Sequence, residues 1–236
     1  MDIEGWIALV TGANRGLGRA FTQLLLEHGA TRVYAGARDP ASVTDRNVTP
    51  VELDVTSMST IEAAATRCSD VTLVVNNAGI STGTSILAAD ALDAGRREMD
   101  TNVFGPLAVS QAFAPVLAAN GGGALVNVLS VLSWLAAPST ALYSASKAAA
   151  WSITNSLRVE LQPQGTLVVG VHCAYLDTDM AAHVDAPKLA PERVVEQTLD
   201  AIERGRFEVV ADDISRMVKA SLSDDVAALY PALAAP

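Results

Sequence analysis

Short apolar runs alternate with longer amphipathic segments along most of the chain. The short runs are rich in Val, Leu and Ile, and several are apolar at every position. Runs that are apolar on both faces are typical of buried parallel strands, and apolar positions at helical spacing predict helices that cover them. Predicted strands occupy 7–11, 32–36, 48–53, 71–75, 124–129 and 167–172, and predicted helices about 16–29, 57–68, 99–119 and 144–161.

This alternation predicts an α/β fold, with a single doubly wound Rossmann-type domain over residues 1–236. We expect a parallel sheet of about seven strands with helices on both faces. Residues 173–195 form the least regular stretch, and 175–195 are predicted to be a substrate loop. The tail, residues 205–236, begins with a predicted strand (RFEVVAD) and ends in helical character with Pro231 and Pro236.

The amino-acid composition predicts a large hydrophobic core and disfavours polyanionic partners. Half of the 236 residues are hydrophobic, which is enough for a large core without disulfides. Lys and Arg number 16 against 26 Asp and Glu, so the formal net charge is −10. This acidic balance disfavours nucleic acid and anionic membranes as partners, because both require clustered cations.

Targeting and metal signals are also weak. The first residues lack a basic region, and no apolar run approaches about 18 residues, so we predict no secretory signal, no membrane span and a cytoplasmic protein. Cys68 and Cys173 lie far apart, and the three histidines have no metal-binding spacing. The sequence therefore predicts neither a disulfide framework nor a metal site.

A glycine-rich loop joins the first predicted strand to the first helix. Glycines allow a tight turn close to a pyrophosphate, and the helix N-terminus offers free N–H groups to the anion. The spacing G-x3-G-x-G differs from G-x-G-x-x-G, and a plain turn is the alternative, but the position between strand and helix favours phosphate binding. The predicted cofactor contacts here are Gly12, Asn14, Arg15, Gly16, Leu17 and Gly18.

The end of the second strand predicts which dinucleotide binds. Residues 35–38 contain no acid, and Arg38 lies 20 residues after Gly18. An Arg at this point suits a 2′-phosphate, and Arg15 is a second cation, so we predict NADP(H). The alternative is that Arg38 is solvated and pairs with Asp39.

Candidate chemistry lies at the start of a predicted helix. Tyr143 and Lys147 are one helical turn apart, and a neighbouring ammonium lowers the pKa of a phenol. Ser130 ends a strand, where ligands of doubly wound sheets bind. Asn102 is followed closely by Gly105 in an apolar helix, which predicts a local distortion that holds water.

These motifs, with Asn76-Asn77-Ala78-Gly79, resemble the short-chain dehydrogenase/reductase family, in particular its NADP-preferring carbonyl reductases, over residues 5–180. The resemblance implies that Tyr143 is the acid or base, that Ser130 polarises a carbonyl, and that Lys147 holds the nicotinamide ribose. Asn102 would anchor a water in a proton relay. Further cofactor contacts implied by the resemblance are Asp54, Val55, Asn77, Ala78, Gly79, Leu176 and Thr178.

The chain departs from the family at two places. The family usually has Pro-Gly after the sixth strand, where this chain has Cys173-Ala174, although Thr178 is retained. Cys173 is either a reactive thiol near the nicotinamide or a small buried filler. The tail lacks the family's glycine-rich ending, which bears on assembly, and the resemblance implies a homo-oligomer, either a dimer or a tetramer.

The substrate side is predicted to be apolar. The predicted substrate contacts are Trp134, Tyr175 and Met180, with Ile80, Leu132 and Leu135 as further candidates, although each is also explained by packing. A neutral ketone, aldehyde or secondary alcohol is therefore expected rather than an anion. Two other functions remain open: a catalytically silent dinucleotide sensor, and an epimerase or dehydratase acting through a tightly held cofactor.

Overall fold

Seven parallel strands form one sheet in the computed structural model, which describes residues 4–230 and 233. The strand order is β3-β2-β1-β4-β5-β6-β7. The sequence-based statements about residues 1–3, Pro231 and Pro236 lie outside the described residues. The strands are β1 Ile7–Thr11, β2 Arg32–Ala37, β3 Thr49–Glu52, β4 Leu73–Asn76, β5 Ala124–Val128, β6 Leu167–His172 and β7 Glu208–Val210.

Consecutive side chains of the central strands point into two different cores. Val10 of β1 joins a core on one face, whereas its neighbour Leu9 joins a core on the other. Both residues are fully buried, as are Val74 and Val75 of the neighbouring β4. A strand covered on both faces has no polar side, which explains the uninterrupted apolar runs in the sequence.

Helices cover both faces of the sheet, so the predicted fold class is confirmed. The helices α1 and α6 pack on one face, and α2, α4 and α5 on the other. The helices are α1 Gly16–Glu27, α2 Met58–Arg67, α3 Ala91–Met99, α4 Gly105–Ala119, α5 Ala141–Leu161, α6 Pro191–Glu203, α7 Asp213–Ala220 and α8 Val226–Leu229.

Two helices were not predicted. The helix α3 precedes the predicted helix 99–119 and is continuous with it through a π-helical turn at Asp100–Phe104. The helix α6 begins at Pro191, so residues 191–195 of the predicted substrate loop are helical. The predicted strand in the tail is confirmed as β7, which pairs with β6.

Among the described residues, the helical stretch Ala91–Ala119 is long and apolar enough to cross a membrane, judged by length and composition alone. Its Val109, Phe113 and Leu117 are buried in the core between the sheet and the helices of that face. Glu98 and Asn102 of the same stretch are buried and hydrogen-bonded to the chain after β4. This packing is that of a core helix of the α/β layer.

The sheet topology determines where a ligand can bind. The chain first adds β2 and β3 on one side of β1 and then crosses to add β4 and the later strands on the other side. The direction of strand addition therefore reverses between β1 and β4. In open α/β sheets, ligands bind outside the carboxyl ends of the strands at this point. The glycine loop, Arg38, Asn77 and Ser130 all follow carboxyl ends of strands, so the fold gathers them along one edge.

Candidate active site

The glycine loop has a backbone path that its glycines make possible. Gly12 and Gly16 have φ angles of +63° and +52°, in the left-handed region that favours glycine. A Cβ on Gly18 would lie 2.3 Å from the Gly12 carbonyl oxygen, so only glycine fits there. The result is a tight turn immediately before α1.

Residues after β4 brace this turn. The Thr11 hydroxyl accepts hydrogen bonds of 2.9 Å from the backbone N–H groups of both Asn77 and Ala78. The Asn77 amide donates to the carbonyl oxygens of Thr11 and Gly12 at 2.8 and 3.2 Å. The Asn77 side chain therefore holds the glycine loop in place.

The first turn of α1 is open to an anion. Arg15 is the N-cap residue, and no side chain among the described residues caps the helix. Leu17 is buried in the core, so only its backbone faces the loop, whereas Asn14 is partly exposed. The Arg15 guanidinium is 72% exposed and lies 3.6 Å from the Asp179 carboxylate, so the loop already contacts the chain after β6.

Arg38 is exposed directly after β2. The neighbouring Asp39 carboxylate accepts the backbone N–H of Ala41 at 3.0 Å and so caps a short 3-10 turn. Within the described chain, no carboxylate lies within 4 Å of Arg38, so the alternative pairing with Asp39 is not formed. The guanidinium is thus available to a ligand phosphate.

Asp54 and Val55 follow β3 at the same edge. Burial raises the pKa of the Asp54 carboxyl. Hydrogen bonds from the Thr56 N–H and hydroxyl, together with the charge of Arg38, lower this pKa by more than burial raises it, so the pKa lies below its ordinary value. Val55 is buried, and a Cβ on Gly105 would lie 2.9 Å from its Cγ2. Gly105 therefore lets α4 approach this loop closely.

Lys147 extends from α5 into the interior behind the edge. The residue is only 5% exposed, and its Nζ donates to the Val128 carbonyl oxygen at 2.7 Å. The same Nζ lies 5.6 Å from the centroid of the Tyr143 ring. Burial lowers the pKa of Lys147 to about 8, which is expected when an ammonium loses water contacts.

The pKa of Tyr143 departs from the expectation for a phenol beside an ammonium. Exclusion of water raises this pKa, and the electrostatic influence of Cys173 and of Glu98 acts in the same direction. The Ser130 side chain opposes the rise by hydrogen bonding to the phenol. The pKa of Tyr143 is raised on balance, so the protonated phenol is its form at neutral pH.

Asn102 lies in the π-helical turn Asp100–Phe104, so the predicted helix distortion is confirmed. π-Helical turns of this kind are often found at functional sites. The Asn102 side chain accepts from the Ile80 N–H at 2.8 Å and donates to the Ile80 carbonyl at 2.9 Å. It also donates to the Ser146 hydroxyl at 3.0 Å, which joins the chain after β4 to α5.

Ser130 follows β5 and begins a 3-10 turn, Val131–Ser133. Its hydroxyl accepts from the Leu132 N–H at 3.1 Å and lies 3.5 Å from the Cys173 carbonyl oxygen. The hydroxyl is therefore fixed between the ends of β5 and β6, close to the Tyr143 phenol.

Glu98 is a site residue that sequence reasoning missed. It is 1% exposed, and one carboxylate oxygen accepts from the Thr82 N–H and hydroxyl at 2.6 and 2.9 Å. The charge of Glu98 raises the pKa of Tyr143. Nothing in the surrounding charged run indicated burial, because Arg96, Arg97 and Asp100 are all exposed.

Cys173 behaves as a buried filler in this structure. Burial raises the pKa of its thiol to about 12, and the charge of Asp212 contributes to the rise. A thiol with so high a pKa is protonated and weakly nucleophilic at neutral pH. No cluster of three or more metal-ligating side chains occurs in the described part of the chain.

The predicted substrate contacts fall into two groups. The Trp134 ring is stacked on His172 with centroids 3.8 Å apart, and the residue is partly exposed. Tyr175 and Met180 are 46% and 51% exposed beyond β6. Ile80 is held by Asn102, while Leu132 and Leu135 are partly buried.

The chain after β6 returns to the glycine loop. Leu176 pairs with Leu189 through an isolated bridge, which closes the segment between them. A Cβ on Gly16 would lie 3.3 Å from the Thr178 Cγ2, so Thr178 faces the phosphate end of the loop. Gly79 lies near the other end, because its Cβ would be 3.2 Å from the Asn102 Oδ1 and 3.8 Å from the Lys147 Nζ.

Comparison with known proteins agrees with this geometry. A family model described as short chain dehydrogenase matches residues 6–189. The 3-oxoacyl-(acyl-carrier-protein) reductase of Vibrio harveyi is 33% identical over 216 residues, which cover 88% of this chain and 86% of that protein.

Solved structures are also similar. A short-chain dehydrogenase from Burkholderia cenocepacia J2315, solved in complex with NADP, is 42% identical, covers both chains fully and superposes with a TM-score of 0.94. A putative gluconate dehydrogenase from Agrobacterium tumefaciens is 27% identical over 92% of this chain and 97% of that one, with a TM-score of 0.82. This chain belongs to the short-chain dehydrogenase/reductase family of oxidoreductases.

Proposed function

We propose that this protein is an NADP(H)-dependent carbonyl reductase that acts on a neutral, fairly apolar ketone or aldehyde and, in reverse, on a secondary alcohol. The observation that carries the proposal is the convergence of Ser130, Tyr143, Lys147 and Asn102 at one sheet edge, beside the glycine loop. Each of these side chains is held by specific contacts, and the whole set faces the point where the chain diverges.

The residues present fit a dinucleotide phosphate. The left-handed glycines and the uncapped first turn of α1 leave backbone N–H groups available to a phosphate, and Gly18 keeps the turn tight because a Cβ there would clash with the Gly12 carbonyl oxygen. Arg38 has no carboxylate partner within 4 Å in the described chain, and Arg15 is exposed nearby on the loop. Two guanidiniums suit the 2′-phosphate of NADP(H). The Burkholderia relative solved with NADP supports the same cofactor.

The proposed chemistry follows from charge that develops on the substrate oxygen. The nicotinamide of NADPH, when bound, would be the source of the hydride that reduces the carbonyl carbon. The Tyr143 phenol, held protonated by burial, donates its proton to the oxygen, and the Ser130 hydroxyl donates a hydrogen bond to it. Lys147 remains near the ring and stabilises the phenolate that proton donation leaves behind.

The surroundings favour an uncharged substrate. Residues 175–190 contain Asp177, Asp179 and Asp185 against a single cation, Lys188. Carboxylates at this opening repel an anionic substrate. The exposed Tyr175 and Met180 offer apolar surface instead.

The experiment is a panel of ketones, aldehydes and secondary alcohols, each assayed with both nicotinamide cofactors. We expect turnover of at least one neutral carbonyl with NADPH at a higher kcat/KM than with NADH. Absence of turnover throughout the panel, with NADPH bound, would instead favour the silent dinucleotide sensor.

The cofactor preference has a direct test in Arg38→Asp. The loss of a charged phosphate contact raises the Kd for NADPH by roughly tenfold or more and improves the relative use of NADH. Arg46→Asp is the matched control, because Arg46 is exposed near the amino end of β3 and therefore away from the site. Equal effects of the two changes would contradict the assignment.

We further propose a single-domain cytoplasmic protein that assembles as a homodimer or homotetramer. Exposed apolar side chains support assembly, including Phe104 at 53% and Val159 at 75% exposure. Sedimentation of the purified protein distinguishes a monomer from a dimer or tetramer.

A further inference from the structure

The peptide group between Cys173 and Ala174 is held at both of its polar ends. Its carbonyl oxygen, on Cys173, accepts from the Val131 N–H at 2.9 Å and lies 3.5 Å from the Ser130 hydroxyl. Its N–H, on Ala174, donates to the Asp212 carboxylate at 2.7 Å. One peptide plane therefore connects Ser130 to a residue of the C-terminal tail.

Asp212 is itself firmly placed between β7 and α7. Its Oδ1 accepts from the Ser215 N–H at 2.8 Å, and its Oδ2 accepts from the Ser215 hydroxyl at 3.1 Å. The backbone next to it is also fixed, because Ala211 donates to the His172 carbonyl at 2.9 Å. Ser215 is fully buried, so the carboxylate has an ordered support.

We propose that Asp212 is a positioning residue for the reaction, acting through the peptide 173–174 on both Ser130 and the cofactor-facing segment 174–178. A charged acceptor on the N–H polarises the peptide and strengthens the carbonyl as a partner for Ser130. On the other side, three residues separate Ala174 from Thr178, which faces Gly16 of the glycine loop. This inference rests on the proposed function.

The position of this anchor has a reason in the sequence. Ala174 has neither a side-chain hydrogen bond nor a restricted φ, so nothing intrinsic fixes the peptide before it. The tail supplies the missing constraint through a carboxylate. The tail of this chain thus contributes to the site although none of its side chains reaches the proposed reacting atoms.

Two variants separate this role from capping of α7. Asp212→Ser keeps a good N-cap residue but shortens the side chain, and Asp212→Asn keeps its size but removes one acceptor oxygen and the charge. Asp213→Asn is the matched control, because Asp213 is the next residue, is fully exposed and lies outside the anchor.

Each variant is compared with wild type by NADPH titration, by steady-state kinetics and by hydrogen exchange of the cofactor-free protein. For Asp212→Ser and Asp212→Asn we expect kcat/KM to fall roughly ten- to hundredfold, because small displacements of positioning groups have effects of that size. We also expect faster exchange in 173–178 and, in Asp212→Ser, unchanged exchange over α7. Asp213→Asn should match wild type throughout.

Wild-type kinetics and wild-type exchange in 173–178 for both Asp212 variants would overturn the inference. A loss of protection confined to α7, or equal losses in Asp213→Asn, would also overturn it. Failure of the wild type to bind NADPH would refute the proposed function instead, and the exchange comparison would still test the anchor.

Discussion

Tyr143 is surrounded by groups that act on its pKa in opposite directions. Burial and the charge of Glu98 raise the pKa, whereas the Ser130 side chain lowers it. A protonated phenol suits proton donation during carbonyl reduction, and the same high pKa disfavours the base needed for alcohol oxidation. We therefore expect alcohol oxidation, which needs the Tyr143 phenolate, to become faster as the pH rises.

Glu98→Gln tests this electrostatic influence. The change removes a negative charge but leaves an amide oxygen to accept the two hydrogen bonds from Thr82, so the pKa of Tyr143 should fall. In the alcohol-oxidation direction, the acid limb of the kcat/KM profile should then move to lower pH. The exposed Asp100→Asn serves as control, and an unmoved limb in Glu98→Gln would refute the coupling.

At the residue scale, the sequence predicted the side chains that carry recognisable spacing. Tyr143 and Lys147 lie on one helix face, and Arg38 follows a strand end, so simple geometry brought them to the sheet edge. Glu98 and Asp212 could not be predicted, because their importance comes from burial and from long-range contacts with Thr82 and Ala174.

At the scale of elements, β6, β7 and α7 enclose a titratable ring. His172 is fully buried, its Nδ1 contacts the Ser130 carbonyl at 3.1 Å, and its Nε2 lies 3.6 Å from Glu208. Burial lowers the pKa of His172 to about 3, and the charges of Lys219, Arg158 and Lys147 contribute, against the opposing Ser130 contact. The His172 ring is therefore neutral in the folded protein at neutral pH.

This burial makes stability depend on pH. The unfolded state takes up a proton near the ordinary histidine pKa of about 6.5, whereas the folded state does so only near 3. Stability from His172 is thus complete above about pH 6.5 and is lost as the pH falls, by about 2 kcal/mol at pH 5. Urea unfolding of wild type and His172→Phe at pH 7.5 and pH 5 measures this difference.

His172→Phe should show a smaller loss of unfolding free energy between the two pH values than wild type. The exposed His183→Gln should retain the wild-type difference. An equal pH dependence in wild type and His172→Phe would contradict the assignment to this ring.

The elements that sequence patterns missed have physical explanations. The helix α3 buries Ala91, Ala94 and Glu98, so it lacks the stripe of large apolar residues that identifies a helix. The helix α6 does have such a stripe, including Val195, Leu199 and Ile202, with Pro191 in its first turn. This apolar stripe is visible in the sequence, but residues 191–195 of the helix were assigned to the irregular stretch before it.

At the scale of the whole molecule, a net charge of −10 coexists with cations beside the carboxyl ends of the strands. Arg15 and Arg38 are exposed after β1 and β2, and Lys147 is buried on α5 behind the same edge of the sheet. The acidic remainder disfavours nonspecific anions, whereas this edge favours one phosphorylated dinucleotide.

Ligand binding to the folded state should therefore raise thermal stability selectively. At about 100 times its Kd, NADPH adds about 2.7 kcal/mol, which corresponds to an increase in Tm of roughly 5–10 °C for a chain of this size. NADH at the same concentration should give a smaller increase. Differential scanning calorimetry measures both, and a larger shift with NADH would contradict the proposed preference.

The central claim is that Tyr143 donates the proton in an NADPH-dependent carbonyl reduction. Its most direct test is steady-state turnover of Tyr143→Phe with the best carbonyl of the panel, alongside an NADPH titration of the same variant. We expect kcat to fall by roughly a hundredfold or more while NADPH still binds with near wild-type affinity. Wild-type turnover by Tyr143→Phe would contradict it.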